Sequence, residues 1–228
     1  MIDKEKIKNL YINKEYETVT DIVDKLLLKN RKDTFLLTVR GMIHSQKEEF
    51  NESIKYFQEC LLIDINNDNI YSNLAFSFLS INDHDRAIEN FEKAIAINND
   101  SFKNHSELGN LYLKKGNIIK AKISLEKALS LDDSKIQVYQ NLSACYLGEN
   151  DNRAIALMEK VILLEPENIS NIRVISILYI QFQDYENAVK YLKKYIDYVQ
   201  DDAIAYHDLG SSYHFLSEYS LAETFIMK

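Results

Sequence analysis

Alanine returns at one nearly fixed interval along this chain, and that interval limits the fold more than any single residue does. Ala87, Ala121, Ala154, Ala188 and Ala222 stand 34, 33, 34 and 34 residues apart. Seven residues after the first two comes a second small residue, Ala94 and Ala128, and Cys60 fills the same place one period earlier. Thirteen residues before each alanine, and twelve before Ala154, begins a large–small pair: Leu74-Ala75, Leu108-Gly109, Leu142-Ser143, Ile175-Ser176 and Leu209-Gly210. Three residues after each pair sits an aromatic: Phe78, Tyr112, Tyr146, Tyr179 and Tyr213. Apolar residues at helical spacing, broken by polar turns such as Ile81-Asn82-Asp83-His84-Asp85 and Lys115-Gly116-Asn117, describe two short helices per period. The small residues let one helix lie close against the next. The shortfall before Ala154 points to an inter-helix turn that has lost one residue around Glu149-Asn150-Asp151.

Composition agrees with a folded helical chain. Of 228 residues, 46% are hydrophobic and 27% charged, with one Pro and five Gly, too few for a linker-dominated or turn-rich all-β chain. No run of about 18 apolar residues occurs, so no membrane span is expected. The opening Met1-Ile-Asp-Lys-Glu-Lys-Ile-Lys has no apolar core of a secretory signal, and the expected compartment is the cytoplasm. A net charge of −8 argues against nucleic acid as a partner, because phosphate binding needs clustered cations.

The pattern resembles the tetratricopeptide repeat, a 34-residue helix–turn–helix unit. Its signature has a large apolar residue at position 4, Leu-Gly at 7–8, an aromatic at 11, Ala at 20, an aromatic or apolar residue at 24 and a small one at 27. Residues 68–101 match through Tyr71, Leu74, Ala75, Phe78, Ala87, Phe91 and Ala94. Residues 102–135 match through Leu108, Gly109, Tyr112, Ala121, Leu125 and Ala128, with His105 in the place of the first large apolar group. Residues 136–168 carry Tyr139, Leu142, Tyr146, Ala154, Met158 and the single proline, Pro166. Residues 34–67 carry Gly41, Phe50, Ser53, Phe57 and Cys60, and 1–33 match weakly through Leu10, Tyr16, Val19 and Val23. Residues 169–202 and a truncated 203–228 keep the register. The resemblance covers the whole chain as one array and implies an all-α, right-handed superhelical solenoid of such units.

Three departures stand out. Arg40 replaces the signature leucine, which predicts a looser first helix in the second unit. Tyr195 fills the small slot of the sixth unit and should widen the stacking there. The seventh unit stops at Lys228 without a polar capping helix, so Leu221, Phe225 and Ile226 should leave an apolar face. Either the chain is part of a longer protein or a partner covers that end.

Sites for chemistry are sparse. His44 and His105 fall at packing positions, and His207 and His214 have only Asp208 near them, too few ligands for zinc. Asp83-His84-Asp85 belongs to a solvated turn, and Asp64–Asp68 resembles a calcium loop without its glycine or its final glutamate. No phosphate-binding glycine loop, zinc-protease helix or nucleophile elbow occurs. Gly41, Gly109 and Gly210 all occupy position 8, where close helix packing accounts for them. Cys60 and Cys145 lie on units too far apart for a bond and read as small buried apolar groups. No catalytic residue, metal ligand or cofactor is expected.

In the resembled family, positions 2, 5, 6, 9, 12 and 13 of the first helices line a concave groove. Here they supply Asn69, Ser72, Asn73, Phe76, Lys103, Ser106, Glu107, Asn110, Gln137, Gln140 and Asn141, with little charge. The family's two-carboxylate clamp would fall on Ser106, Asn110, Asn141, Ser170 and Val174; both asparagines match and all three cations are missing, which excludes the clamp. Closer is the asparagine ladder of the repeats of the nucleocytoplasmic sugar transferase, which bonds the backbone of an extended peptide. Asn73 and Asn141 at position 6, with Asn110 at position 9, could act so, although Glu107, Val174 and Asp208 interrupt the row. Phe35, Val39 and Met42, and Val174, Ile177 and Ile180, form apolar clusters that either anchor a partner or pack internally.

The expected function is a non-enzymatic scaffold that binds a partner peptide or helix through Asn69, Asn73, Lys103, Asn110, Gln137 and Asn141. Two alternatives stay open: a substrate-recruiting arm of a larger enzyme such as a glycosyltransferase, and a module that self-assembles into a homo-oligomer through its C-terminal end.

Overall fold

Most periods open with a short polar side chain suited to starting a helix, and the helices begin there. The computed structural model describes residues 4–226, and the described residues form fourteen α-helices and no strand. First helices are α1 (Lys4–Ile12), α3 (Thr34–Gln46), α5 (Asp68–Ser80), α7 (Phe102–Lys114), α9 (Ile136–Gly148), α11 (Ile169–Gln181) and α13 (Ala203–Phe215). Second helices are α2 (Tyr16–Leu27), α4 (Phe50–Ile63), α6 (His84–Ile97), α8 (Ile118–Leu131), α10 (Arg153–Leu164), α12 (Tyr185–Tyr198) and α14 (Tyr219–Ile226). Asp33, Asn67, Asn168 and Asp202 cap first helices, and Asp83, Asn117 and Asp184 cap second ones, each accepting a backbone N–H two or three residues on. Asp83 is thus a cap and His84-Asp85 open α6, while Asp64 accepts from Asn66 and Asn67 in the turn after α4.

Every helix pair reverses through the same turn. Lys14, Glu48, Asn82, Gly116, Asn150, Gln183 and Ser217 have positive φ, between 55° and 73°. The residue after each donates its N–H five residues back, as Asp83 does to Phe78 and Asn117 to Tyr112, both at 2.9 Å. That bond satisfies a carbonyl left open at the helix end. Gly116 takes the left-handed conformation without a side chain to strain it; the other six take it with one.

The missing residue of the 33-residue period lies one step later than the sequence suggests. The turn around Glu149–Asp151 is closed as in the other pairs, with Asp151 N–H on Tyr146 C=O at 2.9 Å. Elsewhere the repeat alanine bonds four residues back, Ala87 to Asp83, Ala121 to Asn117 and Ala188 to Asp184. Ala154 instead bonds three back, to Asp151 at 3.1 Å. The residue has been removed from the first turn of α10, which tightens so that Ala154 stays fully buried.

The chain divides into two compact units, the first ending at Leu111 and the second starting at Tyr112. In the first, Phe57, Phe78 and Phe91 are buried, and Ile7, Val19, Val23, Leu36, Val39 and Ile43 cluster between the first two helix pairs. Phe35 packs on that cluster, so at this end the expected groove anchors Phe35 and Val39 belong to the core. Arg40 does not loosen α3. Its guanidinium lies 3.2 Å from Asp24 and donates to Thr20 at 3.1 Å, holding α3 against α2. A Cβ on Gly41 would come within 2.7 Å of the Phe57 ring, which accounts for glycine there.

In the second unit, Leu125, Met158, Leu192 and Leu209 are buried along with the repeat alanines. Here the position-11 aromatics also tie successive pairs together. Tyr146 donates to Glu126 at 2.7 Å and Tyr179 to Glu159 at 2.8 Å, each reaching the second helix of the preceding pair. Arg153 lies 4.2 Å over the Tyr146 ring. Tyr195 turns its hydroxyl outward to Asp202 at 3.0 Å, keeping its polar end out of the apolar contact. Leu221 and Ile226 are 40% and 51% exposed, and Phe225 is half-buried against Tyr213.

The turns yield a stability test. Glu48→Gly and Gln183→Gly are each expected to stabilise by about 0.5–1 kcal/mol, the relieved left-handed penalty less the freedom gained by the unfolded chain. Gly116→Ala is expected to cost about 1 kcal/mol, because its Cβ would meet nothing within 4 Å and only the backbone is strained. Urea midpoints of the three variants check both directions. The tyrosine ties give a pH test. Burial first, and then the bond to Glu126, push the Tyr146 hydroxyl up to about 12, and burial and Glu159 raise Tyr179. The folded chain therefore keeps protons that the unfolded chain loses from about pH 10, so this stabilisation is whole below pH 10 and falls as pH rises towards 12. A Tyr146→Phe, Tyr179→Phe variant should lose stability less steeply above pH 10 than the parent in alkaline urea titrations.

Candidate functional site

Helices that bury one stripe leave the opposite stripe to solvent, and on the first helices that stripe carries the residues singled out above. In the first unit it is formed by α5 and the start of α7. Asn69 is exposed and bonds only its neighbour Asp68, at 3.3 Å. Phe76 is half-buried, edge-on to Phe91 with ring centres 4.9 Å apart, and Lys103 stands 3.8 Å over its outer face. Asn73 and Asn110 are half-buried, and neither side-chain amide bonds any other described residue. Ser72 donates to Asn104 at 2.6 Å, and Asn104 is buried at 2% exposure.

In the second unit the same stripe runs along α9, α11 and α13. Gln137 donates to Asn141 at 3.0 Å, one turn along the same helix, so the Asn141 carbonyl is already engaged. Gln140 donates to Asn171 at 2.7 Å; buried Asn171 in turn donates to Glu165 at 3.0 Å. Arg173 donates to Asp208 at 2.8 Å, so the acid that interrupts the asparagine row is one half of an ion pair between α11 and α13. The structure thus groups Asn69, Asn73, Lys103 and Asn110 in one unit and Gln137 and Asn141 in the other.

Sequence reasoning missed the role of Asn104 and Asn171. Both sit at position 3, and their partners Ser72 and Gln140 sit at position 5 of the unit before, 32 and 31 residues away. A polar residue recurring at both places at that offset was the available signal. His105 behaves as a packing residue, 5% exposed and bonded to Asn99 at 3.0 Å. His44 contacts Glu49 and stacks on Tyr56 at 5.2 Å. Cys60 and Cys145 are free and buried, and burial raises both thiols, which keeps them protonated and unreactive. Among the described residues no three His, Cys, Asp or Glu side chains come together as metal ligands, and no helix is long and apolar enough to cross a membrane.

Two spaces adjoin these helices. A cavity of about 640 Å³ in the first unit lies between α4 and α6, but the cations at its rim, Lys55, Arg86 and Lys93, pair with Glu52, Asp83 and Glu89 beside them. One of about 220 Å³ in the second unit opens between α9 and α11 on the stripe that carries Gln140.

A family model described as TPR repeat matches residues 77–116, and one described as tetratricopeptide repeat matches 36–67, 103–135 and 174–200, together a little over half of the chain. No curated protein sequence matches significantly. Among solved structures, YrrB, described as a TPR protein with an unusual peptide-binding site, is similar with a TM-score of 0.73 and 19% identity over 81% of this chain and 96% of its own. A MamA protein is similar with a TM-score of 0.67 and 24% identity, over 72% of this chain and 90% of its own. The C-terminal part of a TPR repeat-containing protein from Cytophaga hutchinsonii gives a TM-score of 0.71 at 15% identity, over 99% and 94%. At these identities the likeness is one of fold.

The two classes of amide separate in a stability measurement. Asn73→Ala and Asn110→Ala should each change stability by less than about 0.5 kcal/mol, since neither removes a bond to another described residue. Asn171→Ala should cost about 1–3 kcal/mol, because it strips a buried partner from Gln140 and Glu165. Thermal melts of the three single variants test this contrast.

Proposed function

Because the chain belongs to the tetratricopeptide repeat family, we propose that it is a non-catalytic interaction module whose first helices hold an extended segment of a partner protein. The observation that carries this reading is the pair of half-buried amides, Asn73 and Asn110, that bond no other described residue, while the amides of Asn104, Asn141 and Asn171 are engaged. An amide both donates and accepts, so it complements a peptide unit whatever side chain that unit bears. The same stripe carries the Phe76 ring with Lys103 stacked over it. YrrB, described as having a peptide-binding site, supports the same direction. In the second unit Asn141 still has its amide N–H groups to offer, and Gln137 holds the side chain in place. The stripe of the first unit carries one cation, Lys103, near Glu107, which favours a segment without a strong net charge.

Panning a phage-displayed library of random 12-residue peptides on the full chain, then measuring the selected peptides by fluorescence polarisation, tests the proposal. An Asn73→Ala, Asn110→Ala variant, expected to be as stable as the parent, should bind them about tenfold more weakly or worse, two lost hydrogen-bonding groups at about 1 kcal/mol each. Equal binding by the variant removes these amides from the site.

A further inference from the structure

We propose that the first-helix stripe of the second unit contains a socket for one uncharged aliphatic side chain, leucine, isoleucine or methionine, of the bound segment. The inference rests on the peptide-binding reading above and names the partner's chemistry at one position. The socket is the cavity of about 220 Å³ between α9 and α11. Ala144 and Leu147 from α9 and Val174 from α11 form its walls, and buried Met158 and Leu178 form its floor. It is larger than the roughly 150 Å³ apolar cavity that accepts a benzene molecule.

Its origin lies in a small residue at position 9 of the first helix. That position holds Met42 in α3, Phe76 in α5, Asn110 in α7 and Ile177 in α11, but Ala144 in α9 and Ser211 in α13. The small side chain leaves the mouth open to solvent, with Ala144 exposed and Val174 44% exposed, above floor residues that are 2% (Met158) and 1% (Leu178) exposed. Met158 suits such a floor, because an unbranched thioether adapts to the shape of what enters.

Charge selects the occupant. None of the lining side chains is ionised. The polar groups at the edge are spoken for: Ser143 donates to the Ala154 carbonyl at 2.9 Å, and Gln140 donates to Asn171 at 2.7 Å. A charged side chain entering here would lose hydration and find no counter-charge, whereas an aliphatic one would gain contact on three sides. Asn141, the next residue of α9 after the lining Gln140, keeps its amide N–H groups for the backbone of the bound segment.

The test uses the full chain carrying ¹³C-methyl methionine and three probes, N-acetyl-leucinamide, N-acetyl-lysinamide and N-acetyl-aspartamide, titrated while the Met158 methyl signal is followed by NMR. The leucine probe should shift that signal saturably, with a dissociation constant of about 1–10 mM for a ligand of this size, and the charged probes should not. Ala144→Leu fills the socket from the exposed side of α9 with a strong helix former, and should abolish the shift. No saturable shift with the leucine probe, equal shifts with all three, or an unchanged shift in Ala144→Leu would each overturn the socket. None of these outcomes depends on Asn73 or Asn110, and a failed library panning would leave them standing, so the two proposals fail separately. Where panning does yield peptides, those occupying the second unit should share one aliphatic position and bind Ala144→Leu about ten- to a hundredfold more weakly.

Discussion

Everything in this molecule depends on how closely two helices can approach. At the repeat alanines Ala87, Ala121, Ala154 and Ala188 nothing is exposed, and at Gly41 even a methyl group would run into the Phe57 ring. Packing that close leaves no room for adjustment, so the helices of each pair are held in one geometry. The aromatic at position 11 then does a second job. In the second unit its ring fills the space beside the alanine while its hydroxyl reaches the preceding pair, as Tyr146 and Tyr179 do to Glu126 and Glu159.

What was legible in the amino acids was what recurs. Alanine, the large–small pair and the aromatic gave period, helix content and packing face, because each is a steric requirement met again in every unit. Non-recurring details were harder. Arg40 looks like a flaw in α3 until its partners Asp24 and Thr20, sixteen and twenty residues upstream, are known. Phe35 and Val39 stand at positions that are exposed or half-exposed in the units that follow, yet the first helix pair packs on them here. Whether an apolar residue at such a position is a docking point or a core residue depends on what lies beside it, which periodicity does not encode.

The polar side chains of the first helices illustrate the same division. Asn73, Asn104, Asn110, Asn141 and Asn171 are one residue type on one kind of helix, but they occupy three physical states. Asn104 and Asn171 are buried and tie successive first helices together, Asn141 is braced along its own helix, and Asn73 and Asn110 are half-buried and bond no other described residue. A polar group that is half out of water without a partner is the state a binding surface needs, since its bonds to water can be exchanged for bonds to a ligand at little cost. Composition alone cannot tell the three apart, and the position within the 34-residue period separates only the tying pair.

The tightened first turn of α10 has a wider consequence. A helix turns about 100° per residue, so deleting one would ordinarily swing every later side chain of that helix away from its neighbours. Here the deletion falls where three-residue and four-residue bonding can interchange, and Ala154, Met158 and Val161 still face inward. The start of a second helix is therefore a joint at which a unit of this array can change length by one residue while the units on either side keep their places. Alignments of related arrays should therefore gather their single-residue gaps at the starts of second helices.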